Sequence, residues 1–270
     1  MRTPANAKVA VLSCTHSPYT PPETVEWLLG VLSNIEGLTH FGHLGDVFEA
    51  RSASVHPDSN DGTYHSLEDE YEHASILLSC IRDVLPTDCT RWINKGNHDA
   101  NLEAMDPRRI PKELRSLVHF TKHPEFGEEF RSWQWIPYEK NERGIVNVGQ
   151  CCFYHGFDAG VHSDQTEGLQ MLNSMPPAQQ QTFRLMVRGH THRPVPPTQM
   201  MKTAKIPLPF WYANVGTCGP AVGRSIRPEW CLRRDTSLWG AAILVVECRV
   251  DRPSRLVGKC WDAELIRMPK

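Results

Sequence analysis

The sequence lacks several things, and each shortage removes a class of protein. No stretch approaches the ~20 consecutive apolar residues of a membrane span, so no membrane partner is expected. No long apolar run precedes the first strand-like segment in MRTPANAKVAVL, and nothing there reads as a signal peptide. There is no basic excess: 29 Lys and Arg stand against 31 Asp and Glu, a formal net charge of −2. A protein that lives on a nucleic-acid backbone usually carries such an excess. Nucleic acid is therefore disfavoured as a partner, although a local basic patch stays open. There is no C-x-x-C pair, and the nine cysteines are odd in number and irregularly spaced. That speaks against a disulfide framework or a zinc finger. It fits reduced thiols and a cytoplasmic location. No internal repeat, low-complexity tract or composition shift marks a linker, so residues 1–270 read as a single domain. Oligomeric state leaves no mark on the sequence.

What is present is loop-rich: 21 prolines and 18 glycines in 270 residues. Apolar runs alternate with helical patterns. Lys8–Leu12, Leu38–Leu44, Thr90–Ile93, Val146–Tyr154, Phe183–Val187, Pro209–Val215 and Leu238–Val246 read as strands. Glu23–Leu32, Tyr71–Leu85 and Glu167–Ser174 read as helices, with Ser66 a candidate cap before the acidic run Glu68–Glu72. Arg51–Gly62 reads as a loop, and Asp106–Glu142 as Pro-rich and irregular. The expected walls of any pocket are 51–70 and 106–142. The alternation implies an α/β layered domain.

The informative fact is where the metal-binding residue types fall. Cys14 and His16 follow the first strand, and Asp46 the second. Asn97, His98 and Asp99 follow the third. His155 ends the next, and His190 and His192 follow the one after. In open α/β sheets, ligands bind beyond the carboxyl ends of the strands. Imidazole and carboxylate suit Zn, Fe and Mn. Two such ions about 3.5–4 Å apart can clamp the attacking and leaving oxygens of a phosphoryl transfer.

These motifs resemble the calcineurin-like metallophosphoesterase superfamily, whose pattern is D-x-H, G-D, G-N-H-[DE], H, G-H-x-H. Here they stand as Cys14-Thr15-His16, Gly45-Asp46, Gly96-Asn97-His98-Asp99, His155 and Gly189-His190-Thr191-His192. Asn214-Val215-Gly216-Thr217 resembles the N-P-G-S turn of many members. The local wording looks most like phage and bacterial members of unassigned substrate. The resemblance implies a four-layer β-sandwich flanked by helices. It implies two divalent ions, Mn, Zn or Fe, with Asp46 bridging. His16, Asp46, His192 and Cys14 would hold the first, and Asn97, His155 and His190 the second. His98 would contact the phosphoryl oxygens or protonate the leaving group, with Asp99 orienting it. Asn97, His98 and Arg193 would meet the substrate, a phosphorylated compound of unspecified class. The implied activity is hydrolysis of a phosphomonoester or phosphodiester by metal-bound hydroxide. Nuclease action on DNA or RNA and a catalytically silent metal-binding scaffold are the alternatives. Glu49 stands where the protein-phosphatase branch has Asp, and Ala50 where it has Arg, which speaks against that branch.

Cys14 departs from the first Asp of the pattern. It is open to three readings: a thiolate ligand, a non-ligand beside a weakened site, or a mark of lost chemistry. Other residues have plainer readings. Cys151, Cys152 and Phe153 read as core, and Cys218 as structural. Thr15 and Thr191 read as fillers. His40 and His43 read as structural, with His43 a candidate neighbour of the ligands. Arg193 reads equally as a phosphate binder and as a salt-bridge partner.

Overall fold

The computed structural model describes residues 6–53, 65–105, 108, 110, 112, 115–160, 162–180, 182–200, 209–220, 228–232, 234–249 and 261–269. Its centre is the first apolar run. Val9 to Leu12 are all fully buried, as expected of a strand covered on both faces. This strand, β1 (Asn6–Leu12), splits its side chains by the period of two. Val9 and Val11 join one core cluster, and Ala10 and Leu12 join another.

Around it lie β2 (His40–His43), β3 (Thr90–Asn94), β4 (Gln134–Ile136), β5 (Val146–Val148), β6 (Cys151–Phe153), β7 (Leu185–Arg188), β8 (Pro194–Met200), β9 (Phe210–Val215), β10 (Ala242–Arg249) and β11 (Trp261–Arg267). Among the described residues they form two mixed sheets, ordered β11-β10-β1-β2-β3-β4 and β5-β6-β7-β9-β8. β1, β2, β3 and β4 run parallel, as do β6, β7 and β9. The sheets face each other across Val9, Val11, Trp92, Val246, Phe153, Leu185, Val187 and Ala213. Helices α1 (Pro22–Ser33) and α2 (Leu67–Val84) cover the outer face of the first sheet through Leu28, Leu32, Leu78 and Ile81. The helix Ser163–Ser174 covers the second through Met171 and Leu172. The order helix, sheet, sheet, helix is the four-layer sandwich that the motifs implied. No helix among the described residues is long and apolar enough to cross a membrane. The eight described cysteines are free thiols.

Several boundaries differ from the sequence reading, each for a local reason. Helix α2 starts at Leu67, ahead of the amphipathic stretch Tyr71–Leu85 and where the candidate cap Ser66 puts it, because Ser66 and Asp69 form a reciprocal capping box. The expected strand Val146–Tyr154 is two strands, turned by Gly149 at φ +57°. A two-residue hairpin loop favours glycine first. The irregular stretch 106–142 contributes β4, an edge strand parallel to β3. Strand β8 holds Pro194, Pro196 and Pro197, which hide a strand from pattern reading, yet it is a sheet edge, where proline is tolerated. The first-turn residues Asn97 to Asp99 open a helix, α3 (Asn97–Ala104), that was not anticipated.

Candidate metal centre

Parallel pairing puts the carboxyl ends of β1, β2 and β3 at one rim, and those of β6 and β7 at the facing rim. The loops that follow are held in unusual backbone. Cys14, His16, Asp46, His190 and His192 all have φ between 46° and 68°, as does Ala50 at 49°. Non-glycine residues seldom adopt this region, and such strain gathers at functional sites. Backbone bonds pin the loops: Cys14 N–H donates to Gly45 O and His16 N–H to Asp46 O, both at 2.9 Å.

The side chains then converge. Cys14, His16, Asp46 and His192 bring one ligand atom each within 4.8 Å of one another, and so do Asp46, His155 and His190. Asp46 belongs to both groups. The distances are short: His16 Nε2 to His192 Nε2 3.2 Å, His155 Nε2 to His190 Nδ1 3.2 Å, and His155 Nε2 to Asn97 Oδ1 3.3 Å. Asp46 Oδ2 lies 3.1 Å from His155 Nε2 and 3.7 Å from His16 Nε2.

Hydrogen bonds fix the tautomers. His155 Nδ1–H donates to the Leu44 carbonyl at 2.5 Å. His16 Nδ1–H donates to Glu49 Oε2 at 2.9 Å. Both rings therefore aim an Nε2 lone pair at the Asp46 carboxylate, buried, with 1% to 2% of each residue exposed. Lone pair against lone pair at this range requires a proton or a cation between them. Tetrahedral ligands at 2.0–2.1 Å from an ion stand roughly 3.3 Å apart, close to the spacings here. The buried Nδ1 of His192 has no hydrogen-bond partner among the described residues. The donor set and its spacing fit metal ions.

Electrostatics point the same way. Burial pushes His190 down to about 3, helped by His155, and pushes His192 well below its ordinary range, so both stay neutral and able to ligate. Burial opposes ionisation of Asp46, but His155, His98 and His16 overcome it and hold its carboxyl well below the usual value. Burial and the Asp46 charge push the Cys14 thiol well up. Its sulfur lies 3.0 Å from Ser13 Oγ and accepts from His190 N–H at 3.3 Å.

His98 stands beside these groups. Burial would lower it, but the Asp46 and Glu49 carboxylates raise it to about 9. Its Nδ1–H donates to the Glu49 carbonyl at 2.6 Å, leaving Nε2 toward the cleft. Asp99, which the resemblance would have orient that ring, makes no hydrogen bond to it among the described residues. Its carboxylate accepts instead from the backbone N–H groups of Asp46, Val47, Phe48 and Gly96, at 2.8–3.1 Å. It clamps the loop that carries Asp46.

Two residues read as fillers are connectors. Gly45 N–H donates to His43 Nδ1, which leaves His43 Nε2–H to donate to Thr15 Oγ1 at 3.0 Å, and Thr15 donates on to Val47 O at 3.2 Å. Burial and His155 hold His43 at about 3, neutral as this chain of bonds needs. Thr191 donates to Asp164 at 2.8 Å, and Asn214 Nδ2 reaches Asp164 Oδ1, Gly189 O and Thr191 Oγ1, each at 2.8 Å. Asn214 thus ties the His190–His192 loop to the helix Ser163–Ser174. Arg193 pairs with Asp164 at 3.2 Å and also lines the cleft. Cys151, Cys152, Phe153 and Cys218 are buried, as read from the sequence.

The cleft over these groups has a volume of about 850 Å³. Its described lining takes Arg51 from the stretch 51–70 and nothing from 106–142. Residues 54–64 and several of 106–114 lie outside the described residues. The wall comes instead from Trp230, Arg234, Asp235, Leu238 and Trp239, which sequence reading missed. A short helix between Pro/Arg-rich segments offers no pattern to find them by. In the sequence Glu49 stands out only as a substitution. It accepts from His16 on one oxygen and from Trp230 Nε1–H at 2.7 Å on the other. Burial would raise its carboxyl, yet His98, His16 and Trp230 hold it below the ordinary value. Its position three residues after Asp46 was the available signal.

No family model and no curated protein matches the chain. Among solved structures it is similar to a conserved uncharacterized protein of Streptococcus pneumoniae TIGR4, described as a predicted phosphoesterase. That match has 14% identity and a TM-score of 0.34, over 91% of this chain and 84% of that one. It is also similar to Vps29 of Chaetomium thermophilum, at 11% identity and a TM-score of 0.40, over 97% and 93% of the two chains.

Proposed function

We propose that this protein is a metal-dependent phosphoesterase that hydrolyses a phosphomonoester or phosphodiester at a dinuclear centre. The observation that carries the reading is Asp46, one buried carboxylate common to two groups of potential ligand atoms. A shared anion is what two neighbouring cations need to offset their repulsion. His16, His192 and Cys14 would complete the first site, and Asn97, His155 and His190 the second. Bound there, divalent ions supply Lewis acidity and lower the pKa of water.

The chain's own residues do the rest. Glu49 holds His16 in the ligating tautomer, as carboxylates beside metal-bound histidines do. His98, fixed through Nδ1, faces an oxygen of the substrate with Nε2, which carries a proton when the ring is charged. It stabilises charge there or passes its proton to the leaving oxygen. Arg193 adds a second cationic group at the cleft.

The test is hydrolysis of a chromogenic phosphomonoester against a phosphodiester, with Mn, Zn, Fe and Mg compared. His98→Ala should abolish turnover while bound metal, measured by elemental analysis, is retained. No turnover with any ion would leave a silent metal-binding scaffold as the reading. Degradation of oligonucleotides with steep salt dependence would make the protein a nuclease.

A further inference from the structure

The cleft is larger and more aromatic than a phosphoryl group needs. Its volume of about 850 Å³ falls toward the top of the roughly 300–1,000 Å³ range of small-molecule sites. Along one side stand two half-buried indoles, Trp230 and Trp239, with centroids 5.8 Å apart and planes inclined by 45°. Leu238 beside them is 69% exposed. With the two indoles it gives the cleft lining an apolar stretch. The cleft also carries groups that hydrogen-bond. Asn101 and Asp235 line the cleft, and the Arg234 guanidinium lies 5.9 Å over the Trp230 ring.

The two indoles differ in what they already touch. Trp230 donates to Glu49, packs near His16, His98 and His192, and receives Arg234. Trp239 meets His192 at 4.4 Å in a near-perpendicular contact, and Trp230 beyond it. An alkyl chain would call for a continuous apolar groove. Two indoles and a leucine in a cleft that also offers Arg234, Asp235 and Asn101 suit a flat ring with hydrogen-bonding atoms at its edge.

We propose that the cleft selects phosphoesters that carry a planar heteroaromatic ring, a mononucleotide being the type, with the ring packed against Trp239 and the phosphorus at Asp46. This rests on the phosphoesterase reading and deepens it. Trp239 is then a specificity-determining residue. Base–aromatic stacking predicts a discrimination of roughly 5–150-fold.

Calorimetric Kd values on the manganese-loaded full chain test the proposal. The probes are adenosine, the non-hydrolysable phosphonate analogue of adenosine monophosphate, and that of ribose 5-phosphate. The wild type should bind the adenosine phosphonate at least about 5-fold more tightly than the ribose phosphonate, the lower end of the stacking range. Trp239→Ala should bring that ratio near one, and Trp239→Phe should keep most of it. Because the ratio is taken within each variant, damage to His192 cancels. Equal binding of the two phosphonates by the wild type, or a ratio unmoved in Trp239→Ala, overturns the ring site while the phosphoesterase reading survives. Trp239-dependent binding of adenosine with no gain from the phosphonate keeps the ring site and removes the phosphoesterase reading. Failure of every probe to bind overturns both.

Discussion

Asp99→Asn separates two roles for one carboxylate. In the structure Oδ1 accepts from Val47 and Phe48 N–H at 3.0 and 3.1 Å, and Oδ2 from Asp46 and Gly96 N–H at 2.9 and 2.8 Å. Asparagine keeps one acceptor oxygen, and its amide nitrogen accepts nothing. Two buried N–H groups therefore lose their partner. Each orphan costs about 1–3 kcal/mol, so the variant should lose about 2–6 kcal/mol. At ~2–4 °C per kcal/mol for a chain of this size, Tm should fall on the order of 10 °C. Urea denaturation and calorimetry of metal-free protein measure this directly. Bound metal should fall as well, because the clamped loop carries Asp46. A variant within about 1 kcal/mol of wild type, with only its pH–rate profile altered, would refute the clamp and return Asp99 to the role of orienting His98.

Glu49→Gln removes the charge that holds His16 in place, so metal affinity at that site should drop by roughly 10–100-fold in a chelator competition titration. Glu70 is raised to about 8, first by burial, against the pull of the Ala50 N–H. The folded state thus keeps a proton that the unfolded chain loses near the ordinary value of 4.5. Stability should fall by up to ~1.4 kcal/mol per pH unit as pH climbs through that window. Glu70→Gln should flatten that slope in a Tm series, and an unchanged slope would assign it to another group. Cobalt(II) loading should give a sulfur-to-metal absorption band that Cys14→Ser removes; a spectrum without the band takes Cys14 out of the ligand set. In Gly96→Ala the new Cβ would strike the Asp46 carboxylate and backbone. Overpacking of this kind should destabilise by about 1–3 kcal/mol and lower metal content, whereas wild-type stability and loading would mean the loop yields freely.

The fold was legible where side-chain periodicity is strong. The run at Val9–Leu12 is apolar because both faces of β1 are covered, and α1 and α2 show the spacing of one buried stripe. What escaped reading lacks such a signal. β8 and β11 are edges, half of whose side chains face away from the core, and β8 is further masked by three prolines. The Gly149 turn splits a run that reads as continuous. The Trp230–Trp239 wall is set by tertiary packing against His192 and Glu49, and no spacing rule reaches across so much chain.

The site was legible for a different reason. Its candidate residues are of the few types that ligate metal ions, delivered at successive strand ends. The sequence could not reveal what holds them. Five of the clustered side chains sit on left-handed backbone, at roughly 1–2 kcal/mol for each residue, or on the order of 5–10 kcal/mol together. That equals the whole stability of many domains, so the loops need dedicated fasteners. Asp99 supplies them beneath Asp46, the His43–Thr15 chain beneath His16, and Asn214 beneath His190 and His192. None of these fasteners need touch a metal ion, and their residue types are common in unrelated loops. They become visible only once the backbone strain they oppose is seen, and this is why Thr15 and Thr191 read as fillers and why the clamp made by Asp99 left no mark on the sequence.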